Sequence, residues 1–119
     1  MSHKSYRDLV VEAKARVPEV TARESLSLSG NPDVVFLDCR EPNEFALGRI
    51  PGALFIPRGV LEQNIERAVP RDRKVVIYCA SGNRSALAAD TLKQMGYGDV
   101  ASLAGGIRAW MEEGGDIEG

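Results

Sequence analysis

Histidine and cysteine are scarce in this chain, and their scarcity excludes much chemistry. The 119 residues include one histidine, His3, and two cysteines, Cys39 and Cys79. A closed zinc site draws about four ligands, usually Cys and His, so no such site can be assembled here. Two cysteines are too few for a disulfide framework. His3 lies in an N-terminal tail, which argues against a Cys-His pair as the basis of catalysis. Whatever activates a cysteine must do so without imidazole. No apolar run approaches the roughly 18 to 20 residues of a membrane span, and the N-terminus lacks the apolar core of a signal peptide. Lys and Arg number 15 against 17 Asp and Glu, for a formal net charge of -2. That balance argues against a nucleic-acid partner, and no polybasic stretch is available for an anionic membrane. A cytoplasmic protein is expected.

What remains is ordinary for a globular chain. Apolar residues make up 44% and charged residues 27%, enough for one core at a length typical of a single domain. Residues 1–18 read as an N-terminal helical extension, 19–114 as the domain core and 115–119 as a tail expected to fray. Ser5 and Asp8, then Thr21 and Glu24, form two capping-box pairs that start helices. Apolar runs at Val34–Asp38, Ala53–Ile56, Val75–Cys79 and Val100–Leu103 predict strands, with a short one at Glu19–Thr21. Helical spacing recurs after Pro57 (Val60, Leu61, Ile65), from Arg84 to Met95, and at Ile107, Trp110 and Met111. Alternating strands and helices predict a three-layer α/β/α fold with a parallel sheet covered on both faces. In such folds ligands bind beyond the carboxyl ends of the strands. Asp38, Cys39 and Cys79 all fall at such ends.

The chemically informative stretch is Cys79-Ala80-Ser81-Gly82-Asn83-Arg84-Ser85, which joins the clearest strand to a well-formed helix. A short loop with small residues and a glycine can turn several backbone N–H groups toward one point and so bind an anion. The helix behind it adds unpaired N–H groups and the positive end of its dipole. Such a field lowers a thiol's pKa and favours the thiolate. Arg84 adds a permanent charge and a fork suited to oxyanions. Ser85 is placed to cap the helix or to donate to the sulfur. A buried structural cysteine in an ordinary strand-to-helix turn is the plainer alternative.

From about Val20 to Gly114 the chain resembles the rhodanese superfamily. The resemblance rests on three segments in order: Leu37-Asp38-Cys39-Arg40-Glu41 with Glu44-Phe45 and Gly48-Arg49-Ile50-Pro51-Gly52-Ala53; the loop from Cys79 to Arg84; and Leu103-Ala104-Gly105-Gly106-Ile107 with Ala109-Trp110. It implies a five-stranded parallel sheet and a ping-pong sulfurtransferase reaction. Cys79 takes the outer sulfur of a donor such as thiosulfate, and the loop amides hold the persulfide. Cyanide, a thiol or a protein acceptor then removes it, with no metal or organic cofactor. Related phosphatases and arsenate reductases carry a loop one residue longer. Here Ala80, Ser81, Gly82 and Asn83 alone separate Cys79 from Arg84, a smaller pocket that suits sulfur better than a phosphoryl group.

The resemblance assigns Asp38 to orienting the surrounding loops. Arg40 is expected to pair with a neighbouring acid, Glu44 for example. Arg58, after the third strand, is a candidate to attract an anionic donor. Three positions depart from the family pattern: Arg49 where histidine is common, Ala80 where some thiosulfate-using members carry a charge, and Cys39 where an aliphatic residue is usual. Cys39 reads as a small buried hydrophobe, with a resolving thiol as the sharper alternative. Trp110 reads as core. Two further functions compete with the enzyme: a carrier module that moves sulfur between proteins, and an inactive binding domain, which the presence of Cys79 argues against.

Overall fold

The computed structural model describes residues 2–119. Its elements run α1 (Tyr6–Arg16), β1 (Glu19–Val20), α2 (Ala22–Leu28), β2 (Val34–Asp38), α3 (Pro42–Leu47), β3 (Leu54–Phe55), α4 (Leu61–Ala68), β4 (Lys74–Tyr78), α5 (Asn83–Gln94), β5 (Val100–Leu103) and α6 (Gly106–Glu112). A 3-10 turn over Arg58–Val60 leads into α4. Both expected capping boxes form: Ser5 Oγ accepts from the Asp8 amide, and Thr21 Oγ1 from the Glu24 amide.

The five strands make one parallel sheet in the order β1-β5-β4-β2-β3. β2 and β4 are its long central members, as their near-continuous apolar runs require of strands covered on both faces. Side chains alternate across them. Leu37, Cys39, Val75, Ile77 and Cys79 join one core with Leu61 and Ile65 of α4 and Ala88, Ala89 and Leu92 of α5. Phe36, Val76 and Tyr78 join the other with Ile107 and Trp110 of α6, against which Leu26 and Leu28 pack. Trp110 meets Phe36 edge to face at 5.8 Å.

From β4 the chain crosses to β5 on one side, and from β2 to β3 on the other. The carboxyl ends of β2 and β4 therefore flank the point where the winding reverses, the usual place for a crevice. Cys39 and Cys79 are the next residues there.

The structure departs from the sequence expectation in two places. α3 has no periodic signature because six residues are too few to show one. Its signals are instead Pro42 in the first turn and Glu44, whose carboxylate accepts from the Glu41 amide at 3.0 Å. Residues 115–119 were expected to fray, but they fold back. Arg49 and Glu118 exchange both backbone hydrogen bonds at 2.9 Å, and the Trp110 indole N–H donates to the Asp116 carbonyl at 2.8 Å. A buried indole N–H needs an acceptor, and the tail supplies it.

Candidate active site

The Cys79 side chain is 1% exposed and sits inside its own loop. Its Sγ accepts from the amide of Gly82 at 3.1 Å and from that of Ser85 at 3.4 Å. The Ser85 hydroxyl lies 3.5 Å away. Helix α5 begins after Gly82 with no side-chain cap, so the sulfur occupies the place of a capping oxygen. Burial is the largest influence on the thiol and opposes its ionisation. Hydrogen bonds from the Ser85 hydroxyl and amide, and from the amides of Gly82 and Ser81, outweigh it and hold the pKa below the ordinary thiol value.

The loop is turned inside out by helix α6. The amide of Ile107 donates to the Cys79 carbonyl at 2.9 Å, and that of Arg108 to the Ala80 carbonyl at 3.3 Å. With these carbonyls engaged, the loop amides are left for the sulfur. The approach is close enough to demand glycine at position 106, where φ is +61° and a Cβ would lie 2.5 Å from the Ala80 carbonyl and the Cys79 oxygen.

Sequence reasoning missed Ser102. Its hydroxyl, fully buried in β5, lies 2.8 Å from that of Ser85. When Cys79 is ionised, Ser85 donates to the sulfur and Ser102 donates to Ser85, so charge is relayed inward without a buried unpaired group. The only hint in the sequence is one hydroxyl within the apolar run Val100–Leu103. Replacing Ser85 by Ala is expected to move the acid limb of Cys79 alkylation by iodoacetamide to higher pH. On that limb the rate should fall on the order of tenfold, the loss of one charge-assisted hydrogen bond. An unchanged pH profile would mean that the amides alone hold the thiolate.

Each of the three arginines is held by a carboxylate. Arg84 does not aim its fork into the loop: Nη1 and Nη2 bind the two carboxylate oxygens of Glu44 at 2.9 and 3.1 Å. This pair lowers the Glu44 pKa to about 2. Arg40 therefore pairs not with Glu44 but with Asp38, through Nε at 3.0 Å and Nη2 at 2.8 Å, and also donates to the Gly48 carbonyl at 2.6 Å. Asp38 is fully buried, so the pair ties the end of β2 to the loop after α3. Arg58 binds Glu62 at 2.9 Å and Thr91 at 3.3 Å.

Cys39 is also fully buried, and its thiol donates to the Tyr78 carbonyl at 3.4 Å. Burial pushes its pKa up to about 12, with the negative charges of Cys79 and Asp38 adding to the effect. The two cysteines are not joined. A thiol so reluctant to ionise is a poor resolving nucleophile and packs as a small hydrophobe.

The rhodanese-like domain family matches residues 21–113. The chain belongs to this family. A sulfurtransferase of Allochromatium vinosum is 47% identical over 93 residues, covering 76% of this chain and 86% of that protein. The polysulfide-sulfur transferase homodimer of Wolinella succinogenes superposes with a TM-score of 0.81 at 28% identity, covering 95% of this rhodanese chain and 86% of that one. A Rhodopseudomonas palustris protein described as of unknown function and a possible tyrosine phosphatase superposes with a TM-score of 0.89 at 38% identity, covering 99% and 97%. The chain also matches longer proteins, of which it spans 26%. The family match and the likeness to the two sulfur transferases place the rhodanese domain in the sulfur-transfer class. No helix among the described residues is long and apolar enough to cross a membrane. No group of three or more His, Cys, Asp or Glu among them could hold a metal ion.

Proposed function

We propose that Cys79 carries sulfur as a persulfide between a small sulfane donor and a thiophilic acceptor. The observation that carries this reading is the convergence of the Gly82 and Ser85 amides and the Ser85 hydroxyl on one buried sulfur. The thiolate attacks the outer sulfur of thiosulfate. The S–S bond of the donor breaks, sulfite leaves with the bonding pair, and Cys79 holds a persulfide anion. Cyanide or a thiolate then attacks the outer sulfur, and the Cys79 thiolate leaves. Both steps are displacements at sulfur, so the cycle needs no cofactor. The amides of Asn83 and Arg84, in the first turn of α5, have no backbone acceptor among the described residues. They are available to the second sulfur. The four-residue gap between Cys79 and Arg84 favours sulfur over a phosphoryl group in this pocket.

The intact mass of the reduced protein after mixing with thiosulfate tests this reading. A gain of about 32 Da, blocked by prior alkylation of Cys79, is expected from a covalent intermediate. No gain with thiosulfate, but a gain from a persulfidated protein, would favour the carrier reading. No gain from either would remove both.

A further inference from the structure

Of the 15 Lys and Arg side chains, nine are bound to carboxylates. Arg67, Arg73 and Lys93 donate instead to Asn64 or to backbone carbonyls. Among the described residues, that leaves Arg7, Lys14 and Arg108 with no acceptor, and all three are exposed. They stand around the Cys79 loop. Arg7 and Lys14 of α1, with Tyr6, Val10 and Val11, line a hollow of about 320 Å³ that is closed by Asn83 of the loop. Arg108 is the residue whose amide holds the Ala80 carbonyl. Helix α1 is tied along α5 by Arg16 to Asp90 and by Lys93 to the Arg16 carbonyl. α6 covers the opposite face of the sheet, so the three cations flank the loop from both sides. The nearby acids are mostly engaged. Asp8 caps its own helix, Glu12 is bound by Lys4 and Glu113 by Arg23. Glu112, one turn beyond Arg108, leaves it unbridged.

Arg7 and Lys14 are two turns apart, about 10 Å along the helix, and Arg108 lies across the loop from both. A small anion can meet one of these charges, whereas a chain laid over the loop meets all three. Between them α1 exposes Tyr6 at 57% and Val11 at 59%, and arginine beside exposed aromatic and aliphatic groups is the mixture of a protein interface. Cys79 is 1% exposed, so an accepting thiol has to come in on a narrow segment. The net charge of -2 disfavours a nucleic acid as the occupant. We infer that this face docks an acidic segment of a partner protein, whose cysteine takes the sulfur from Cys79. The inference rests on the persulfide reading above. The acceptor cysteine thiolate attacks the outer sulfur of the Cys79 persulfide. The S–S bond breaks, the Cys79 thiolate leaves with the electron pair, and the partner holds the new persulfide. α1 lies outside residues 21–113, which the family matches, so the face it adds is not part of the shared domain.

The test compares three sulfur acceptors on the full chain: a short peptide with cysteine among Asp, Glu and Leu, its counterpart with each acid replaced by Lys, and mercaptoethanol. The acidic peptide's kcat/KM is expected to exceed the basic one's at least about tenfold at low salt, and the gap should close at high salt. In a variant carrying Arg7→Gln, Lys14→Gln and Arg108→Gln, the acidic peptide should lose about thirtyfold, roughly threefold per exposed charge. Mercaptoethanol, which has no fixed charge, should be turned over as before. The three side chains hold nothing else among the described residues, so the variant should melt as the wild type does. Equal rates for the two peptides, or a preference that survives in the variant, would overturn the inference. Titration calorimetry with serine in place of the peptide cysteine reads docking without any sulfur step. Acidic binding there, lost in the variant, with no sulfur ever gained by Cys79, would keep the docking face and remove the persulfide reading. Turnover of mercaptoethanol with no preferred peptide would remove the docking face alone. A single-stranded RNA oligonucleotide bound through the same three residues and more tightly than the acidic peptide would also overturn the inference and assign the face to nucleic acid.

Discussion

Sulfur transfer by Cys79→Ser is expected to fall to the uncatalysed background, a loss of at least about 10³-fold, while the fold is retained. Serine fits the space, since Cys79 is buried against amides that accept either side chain. The hydroxyl is a far weaker acid than a thiol, and the loop amides do not ionise it. Oxygen also cannot form the disulfide-like bond that makes the transferred sulfur electrophilic. Steady-state cyanide or thiol turnover checks the activity. A thermal melt within about 2 °C of wild type checks the fold, as a near-isosteric exchange predicts. Turnover retained in this variant would defeat the persulfide reading at Cys79 and turn attention to Cys39.

Gly106→Ala should be the most damaging single-methyl change next to the site. Two costs combine. A φ of +61° costs a residue with a Cβ about 1–2 kcal/mol. The Cβ would also lie 2.5 Å from the carbonyl carbon and oxygen of Ala80 and from the Cys79 oxygen, and relieving that overlap costs roughly 1–3 kcal/mol more. The total of about 2–5 kcal/mol would appear in urea denaturation as a lower midpoint with an unchanged slope. Relief requires α6 to draw away from the loop, which weakens the bonds from the Ile107 and Arg108 amides and lets the Cys79 and Ala80 carbonyls turn. Persulfide formation should then fall about 10²-fold in the molecules that remain folded, the cost of a displacement near 1 Å at a reacting group. Gly114→Ala is the control. Gly114 has a φ of +85° and no neighbouring atom within 4 Å of the added methyl, so it carries the conformational cost alone and should leave persulfide formation intact.

Much of the site is legible in the sequence alone. The strand-loop-helix order around Cys79 is local, and local order is written in apolar runs, a glycine and a helix start. For the same reason both capping boxes, the five strands and the helix following the loop fall where the sequence places them. The short helix α3 was not legible, because six residues contain too few turns to reveal a period. The return of residues 115–119 was not legible either. It depends on an acceptor for the Trp110 indole and on a backbone pairing with Arg49, each far from the tail's own composition.

The charges show most clearly where sequence stops. Arg40, Glu44, Asp38 and Arg84 are all conspicuous in the chain, but which acid meets which base is a three-dimensional question. Arg40 turns back on its near neighbour Asp38 because both are buried, and an unpaired buried carboxylate is costly. That leaves Glu44, raised on α3, for Arg84 forty residues later. Ser102 is likewise an undistinguished hydroxyl in β5 until the sheet order sets β5 beside β4 and under Ser85.

By itself the sequence determined the parallel α/β architecture, the rhodanese resemblance and the loop that presents Cys79. All of these follow from patterns within a few residues or from motifs in order. The tertiary structure alone decided what surrounds that sulfur: the α6 amides that turn the loop, the Ser85–Ser102 relay, and the carboxylate that cancels Arg84. These are contacts between segments distant in the chain. Their pairing depends on which polar groups the packed core buries together and must then satisfy.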